Sequence, residues 1–187
     1  MEVVSLEIKD VKLVKPRIFK DDRGFFLQTY HQKQYQDAGI PSVFVQDNWS
    51  HSSKGVLRGL HYQLKNPQAK LVSVLRGEVF DVVADIRKGS PTFGKWVAER
   101  LSAENGHQLY VPEGLAHGFL VLSDEVDFLY KCSDFYTPGD EYGVRWDDPE
   151  VGIQWPECGN PILAQKDRNA PFLKDVQVEN LPEFCNE

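Results

Sequence analysis

Turn-forming residues cut this chain into pieces too short for ordinary helices. Arg76-Gly77, Lys88-Gly89-Ser90-Pro91, Asn105-Gly106 and Pro112-Glu113-Gly114 bring glycine and proline to regular breaks, and these residues supply the positive or fixed φ angles of tight turns. Between the breaks lie alternating or β-branched segments at residues 42–46, 56–64, 70–75, 79–86, 95–101, 108–111, 118–122 and 125–131. A period of two puts alternate side chains on one face, so runs this short and this closely spaced predict a mainly β chain, an antiparallel sandwich or barrel. Helix is expected only at residues 31–38, ended by Gly39, and at residues 162–168. A β-roll of this size encloses a pocket between its sheets, and polar residues at inward positions of the central strands become the candidates for chemistry.

Composition narrows the partners. The 187 residues, 41% hydrophobic and 26% charged, can bury one substantial core, and a single domain spanning 1–187 is expected. A net charge of -7 is the wrong sign for neutralising many nucleic-acid phosphates, although two or three placed arginines can still hold one pyrophosphate. No apolar run approaches the roughly 18 residues of a membrane span, and Met1-Glu2-Val3-Val4-Ser5-Leu6-Glu7 does not read as a signal peptide. A cytoplasmic protein with no membrane association is therefore expected. Cys132, Cys158 and Cys185 are odd in number and form no C-x-x-C pair, so they read as reduced thiols.

Polar residues on the 56–63 strand raise a question of register. Regular alternation puts Val56, Arg58, Leu60 and Tyr62 on one face and Leu57, Gly59, His61 and Gln63 on the other. Arg58 and His61 then point opposite ways unless a bulge at Gly59 resets the register. Taken alone, a strand histidine is more often a hydrogen-bonded structural residue, and an arginine a solvated charge; spacing assigns neither a role.

The block Gln46-Asp47-Asn48 through Gly55-Val56-Leu57-Arg58-Gly59-Leu60-His61 resembles the signature of the dTDP-4-dehydrorhamnose 3,5-epimerase family. Further matching blocks follow in order along nearly the whole chain. They are Asp22-Arg23-Gly24-Phe25-Phe26, Pro67 to Val72, Gly77 to Val83, Asp85-Ile86-Arg87, Val111 to Phe119, Tyr130-Lys131-Cys132, Gly143 to Pro149 and Lys166-Asp167. The resemblance implies a cupin-like β-roll, or jelly roll, of antiparallel strands with a few short helices. It also implies a homodimer, a dTDP-sugar as the small-molecule substrate, and no metal or organic cofactor. A metal-binding cupin usually carries a His-x-His pair, and His31, His51, His61, His107 and His117 include none.

Inverting C3 and C5 of a 4-keto sugar means abstracting a proton α to a carbonyl and returning one to the opposite face. That needs a base of near-neutral pKa, stabilisation of the enolate oxygen, and an acid across the ring. The resemblance assigns His61 as base, Asp167 as the carboxylate that orients it, Lys70 as the cation near the enolate and Tyr130 as the opposing acid. For the substrate it implies Arg23 and Arg58 on the phosphates, Gln46 and Asn48 as polar contacts, and Phe26 or Tyr136 as stacking aromatics. His117 near the sugar, and Glu141 and Lys166 in matched segments beside the site, complete the set. Outside such blocks these types would read as surface charges or core aromatics. Cys132, on the Tyr130 face if the strand is regular, receives no role.

Two positions depart from the family pattern. Gln28 stands where a glutamate is common and Trp49 where a histidine is frequent; Gln28 keeps an acceptor but drops a charge, which would re-tune a base contact. The function implied is formation of dTDP-4-dehydro-L-rhamnose by a cofactor-independent double epimerisation. The competing readings are a single-site epimerase of another dTDP-4-keto-deoxysugar pathway and a non-catalytic sugar-nucleotide-binding protein. The latter would be expected to lose the base, its carboxylate or the acid. The loosely alternating residues 3–19, bearing Lys9, Lys12, Lys15 and Arg17, are expected to join a partner's sheet.

Overall fold

The structure, a computed structural model, describes residues 1–185. Strands are numbered in chain order. One sheet runs β1 (Glu2–Ser5), β2 (Lys12–Lys15), β10 (Gln108–Val111), β7 (Lys70–Arg76), β12 (Glu125–Cys132), β5 (Gln46–Ser53). The other runs β13 (Glu141–Gly143), β6 (Leu57–Gln63), β11 (Leu115–Val121), β8 (Glu78–Asp85), β9 (Trp96–Ser102). All strand pairings within them are antiparallel, as the cupin-like roll requires. A separate hairpin pairs β3 (Ile18–Asp21) with β4 (Gly24–Leu27).

Three apolar layers hold the sheets. Leu13, Val72, Val74, Val79, Val83, Leu109, Phe119 and Phe128 interdigitate between them. Leu60, Tyr62, Val82 and Ala84 on the outer side of the five-stranded sheet are covered by Val144, Val151, Leu173 and Leu181 from the C-terminal segment. Tyr35 and Ile40 cover Leu71 and Tyr110 on the outside of the six-stranded sheet. Each fully buried valine, leucine, isoleucine or phenylalanine among them stabilises the fold by about 1.5–3 kcal/mol relative to exposure. Covering on both faces explains why β11 is buried at every position and β8 at six of its eight.

Most expected strands form within a few residues of their sequence limits. The exception is 42–46, of which only Gln46 is in a strand. The strand instead continues through Asp47-Asn48-Trp49-Ser50-His51-Ser52, a polar stretch with no apolar alternation, because β5 is an edge strand whose inner residues line a polar cavity. The expected 31–38 helix is α1 (Gln32–Asp37), with His31 as N-cap and Gly39 at φ 82°. The 162–168 helix shrinks to α2 (Gln165–Arg168). Ile162 is withheld from it because its N–H donates to Gly55 O and its carbonyl accepts from Leu57 N, which ties it to the strand side of the roll. Residues 3–19 form β1, β2 and the start of β3, and β1 and β2 extend this chain's own sheet with β1 at its edge. Among the described residues no helix is long and apolar enough to cross a membrane.

Candidate functional site

The register question on β6 is settled by a bulge. Strand β11 pairs His117 with His61 and Phe119 with Arg58, so a single β11 residue faces two on β6. Gly59 sits at the irregularity with φ 120°, and its peptide to Leu60 is cis. The extra residue turns both Arg58 and His61 inward while Leu60 and Tyr62 stay in the outer layer. Arg58 then donates from Nε and Nη2 to Ser52 Oγ of β5, at 3.2 and 3.0 Å.

Behind the imidazole stands Asp167 of α2, 106 residues away in sequence, with Oδ1 2.6 Å from His61 Nε2. Its other oxygen accepts from Gly59 N at 3.4 Å, so the bulge that aims His61 also anchors the carboxylate. Asp167 is buried at 2% exposure. Burial pushes its carboxyl up, but the His61 hydrogen bond and charge, the Gly59 amide and Lys166 outweigh it and hold it below the ordinary value. An ionised carboxylate only accepts, so Nε2 carries the proton and Nδ1 is left with its lone pair.

Tyr130 and Lys70 lie on the opposite sheet. Registers β12–β7 and β12–β5 align Gln46, Cys132 and Lys70 in one cross-strand row, and Asn48, Tyr130 and Val72 in the next. Val72 belongs to the inter-sheet core and Tyr130 packs against it, so both rows face inward. Tyr130 thus looks across the cavity from the wall opposite His61. Burial pushes its phenol up, Cys132 and Glu141 add to the rise, and Arg58 works against it. Burial pulls the Lys70 ammonium down, offset in part by Cys132, Glu141 and Asp81. Among the described residues Lys70 Nζ makes no hydrogen bond or ion pair, which leaves its donors for a ligand.

Around these four the structure gathers most of the other expected residues. His117 Nε2 lies 2.9 and 3.1 Å from the two oxygens of Asp81, and its ring stacks over Phe128 at 6.3 Å. Burial raises the Asp81 carboxyl, against His117 and Lys70. Glu141 accepts from Lys166 Nζ at 2.9 and 2.8 Å, and its Oε1 lies 3.9 Å from His61 Nδ1. Gln46 Nε2 donates to Asn48 Oδ1 at 3.0 Å, while Gln46 Oε1 accepts from Tyr136 N at 3.1 Å, which ties the loop bearing exposed Tyr136 to the cavity rim.

Three expected residues are not brought to this cluster. Arg23, Phe26 and Gln28 lie on or just after the β3–β4 hairpin, where Arg23 Nη2 donates to Asp21 Oδ2 at 2.6 Å and Phe26 is 67% exposed. Trp49 is exposed on the outer side of β5, donating to Asp127 Oδ1 at 3.3 Å, so its departure from the family pattern leaves the cavity untouched. Sequence reasoning missed Asp81. Its signal was a lone aspartate between Val79-Phe80 and Val82-Val83, a position that tolerates a carboxylate only with a partner. Cys132, which received no role, shares a cross-strand row with Gln46 and Lys70, and its Sγ accepts from Asn48 Nδ2 at 3.5 Å. Among the described residues no group of three or more His, Cys, Asp or Glu is placed to hold a metal ion.

The arrangement is a chamber between two sheets with an oriented imidazole on one wall, a phenol on the other and an ammonium free to bind an anion. Comparison with known proteins gives such a chamber a context. The family model described as dTDP-4-dehydrorhamnose 3,5-epimerase matches residues 5–175. A dTDP-4-dehydrorhamnose 3,5-epimerase of Shigella flexneri is 55% identical over 178 residues, 94% of this chain and 98% of that protein. The crystal structure of a dTDP-6-deoxy-D-glucose-3,5-epimerase from Legionella pneumophila, in complex with dTDP-4-keto-L-rhamnose, superimposes with a TM-score of 0.96 at 48% identity and covers 99% of each chain. A dTDP-4-dehydrorhamnose 3-epimerase of Streptomyces niveus is 41% identical over 183 residues, 97% of this chain and 88% of that protein.

Proposed function

The chain belongs to the dTDP-4-dehydrorhamnose 3,5-epimerase family, and from that premise we propose how its residues carry out the reaction. The protein is an isomerase that converts dTDP-4-dehydro-6-deoxy-D-glucose to dTDP-4-dehydro-L-rhamnose. His61 Nδ1 takes the proton from the carbon beside the C4 ketone, and Asp167 stabilises the imidazolium that forms. Electrons from the broken C–H bond move onto the C4 oxygen, where the Lys70 ammonium meets the developing charge. Tyr130 delivers its phenolic proton to the opposite face, which inverts the carbon. Repeating the cycle at the second carbon completes the conversion.

The observation that best supports these roles is the placement of His61 and Tyr130 on opposing sheets, facing one chamber, with Asp167 2.6 Å behind the imidazole. A base and an acid on the same wall would return the proton to the face it left. Incubation with the 4-keto-6-deoxyglucose nucleotide in deuterated water tests the function: deuterium enters at both C3 and C5, and failure at both rules it out. Exchange at C3 alone would favour the single-site reading, which the similarity to the Streptomyces niveus 3-epimerase keeps in view. A protein that binds dTDP but exchanges neither carbon would be the non-catalytic module.

The same reading assigns Arg58, Gln46, Asn48, His117, Glu141 and Lys166 to the substrate. Arg23, Phe26 and Gln28 fit it only if they act in trans. They sit on an exposed hairpin whose aromatic faces, Phe25 at 66% and Phe26 at 67%, are unusual for a monomer's surface. A homodimer, with the edge strand β1 or this hairpin offered to a second copy, supplies the missing contacts. Gel filtration at the monomer mass would remove the dimer. The chain acts as one domain over 1–187, of which 186–187 lie outside the described residues, in the cytoplasm where reduced thiols persist.

A further inference from the structure

Two inversions on one bound sugar pose a problem that the base and acid alone do not solve. After the first inversion His61 holds the abstracted proton and Tyr130 has lost its own, so neither is ready for the second carbon. The base must discharge before it acts again. The geometry points to Glu141 as the group through which His61 does so, an inference that rests on the reading of His61 given above.

Asp167 closes one side of the imidazole, with 2.6 Å to Nε2 and only 2% of its side chain exposed. It is already ionised and lies in the interior, so a proton passed to it would go no further. Nδ1, on the other side of the ring, lies 3.9 Å from Glu141 Oε1. That gap exceeds a hydrogen bond, and a side-chain shift of roughly 1 Å closes it. Side-chain exposure rises in order from Asp167 at 2% through His61 at 22% and Glu141 at 31% to Lys166 at 55%. The series leads from the interior to solvent.

Backbone pairing holds the carboxylate in place. Strand β13 pairs Gly143 with His61 and Glu141 with Gln63, which puts Glu141 on the inward face of β6's neighbour, two residues along from the base. Lys166 Nζ grips both of its oxygens, at 2.9 and 2.8 Å, and Lys166 immediately precedes Asp167. Helix α2 therefore fixes both carboxylates that flank the imidazole, one directly and one through its lysine.

The C–H proton goes to His61 Nδ1 as its electron pair moves to the C4 oxygen. The enolate takes the Tyr130 proton on its other face. Imidazolium Nδ1–H passes its proton to Glu141 and thence to bulk water, while the Tyr130 phenolate takes one from water. Glu141 acts through His61 and touches no reacting carbon in this step.

Replacing Glu141 by Gln tests the relay. In deuterated water, single-turnover exchange at the carbon that reacts second should fall at least tenfold more than at the carbon that reacts first. Added small buffers such as imidazole or formate should recover most of the loss, a response that a purely structural or binding role does not give. Glu141→Ala, read the same way, guards against a defect particular to the amide. Equal slowing of both exchanges without buffer rescue, or no slowing of either, overturns the relay while leaving the His61 reading intact. Absence of exchange in the unaltered protein would instead overturn the function itself.

Discussion

Gly59 and Gly118 stand against each other where β6 and β11 converge, so closely that a Cβ on Gly59 would lie 2.5 Å from Gly118 Cα and 2.7 Å from His117 O. A Cβ on Gly118 would lie 2.6 Å from Arg58 O. The backbones meet with no side chain between them because the bulge draws β6 toward its neighbour, and the same bulge aims His61 and Arg58 inward.

Gly59→Ala is accordingly expected to harm the site as well as the fold. Its φ of 120° is closed to side chains at a cost of order 1–3 kcal/mol, and the clash with Gly118 adds to that. Chemical denaturation should show the lower midpoint, and exchange into substrate should fall by more than the loss of folded protein accounts for. A variant as stable and active as the parent would show that the bulge does not set the register.

Loss of the imidazole and loss of its carboxylate should both act on turnover and spare the nucleotide. His61→Ala is expected to abolish turnover, and Asp167→Asn to lower kcat by about 10²- to 10⁴-fold. Binding of dTDP, followed by calorimetry, should be largely kept in both, because its expected contacts are other residues. Unchanged turnover in His61→Ala refutes the assignment.

Removing the phenol should separate exchange from inversion. Tyr130→Phe leaves His61 able to take a proton and return deuterium to the face it came from, while inversion falls by about 10²- to 10⁴-fold. Magnetic resonance of the sugar in deuterated water distinguishes deuterated substrate from inverted product. Equal loss of both signals would mean that Tyr130 does not act as the opposing acid.

Acid sensitivity should trace in part to Asp85, far from the proposed chemistry. Its buried carboxylate accepts from Arg87 Nε and Nη2 at 3.0 and 2.8 Å, and from Ser90 Oγ and Thr92 Oγ1, both at 2.6 Å. Burial pushes the carboxyl up, but these bonds outweigh it and place it below the ordinary 3.8. A depressed folded value means a contribution that is present above about pH 3.8 and lost as pH falls below it. Asp85→Asn should cost about 1–3 kcal/mol at neutral pH, since it takes the charge from the buried partner of Arg87 and leaves the guanidinium only Asp10, at 2.9 Å from Nη1, as an anionic contact. It should also flatten the fall in Tm between neutral pH and pH about 3. An unchanged slope would place the acid-labile group elsewhere.

How far the chain could be read in advance differs by element. Strands β7, β8, β10 and β12 were legible because alternation, β-branching and glycine turns are local, and local patterns survive whatever the rest of the chain does. Strand β5 was not, since its inner residues are Gln46, Asn48, Ser50 and Ser52, polar because they face a cavity. Asp81 escaped notice for a related reason: its partner His117 lies on the adjacent strand, 36 residues on.

The amino-acid order by itself determined a roll of short antiparallel strands, its turns, and which family blocks the chain carries, because each depends on near neighbours or on motif identity. The family blocks implied that Asp167 backs His61 and that Tyr130 opposes it; only tertiary structure supplied the 2.6 Å contact across 106 residues, the slip of β6 at Gly59 that spacing left open, and the placement of Tyr130 on the facing sheet. Those outcomes follow from strand pairing over long separations, where a shift of one residue reverses every side chain. The Gly59 bulge, seen in how β11 pairs with β6, is such a shift.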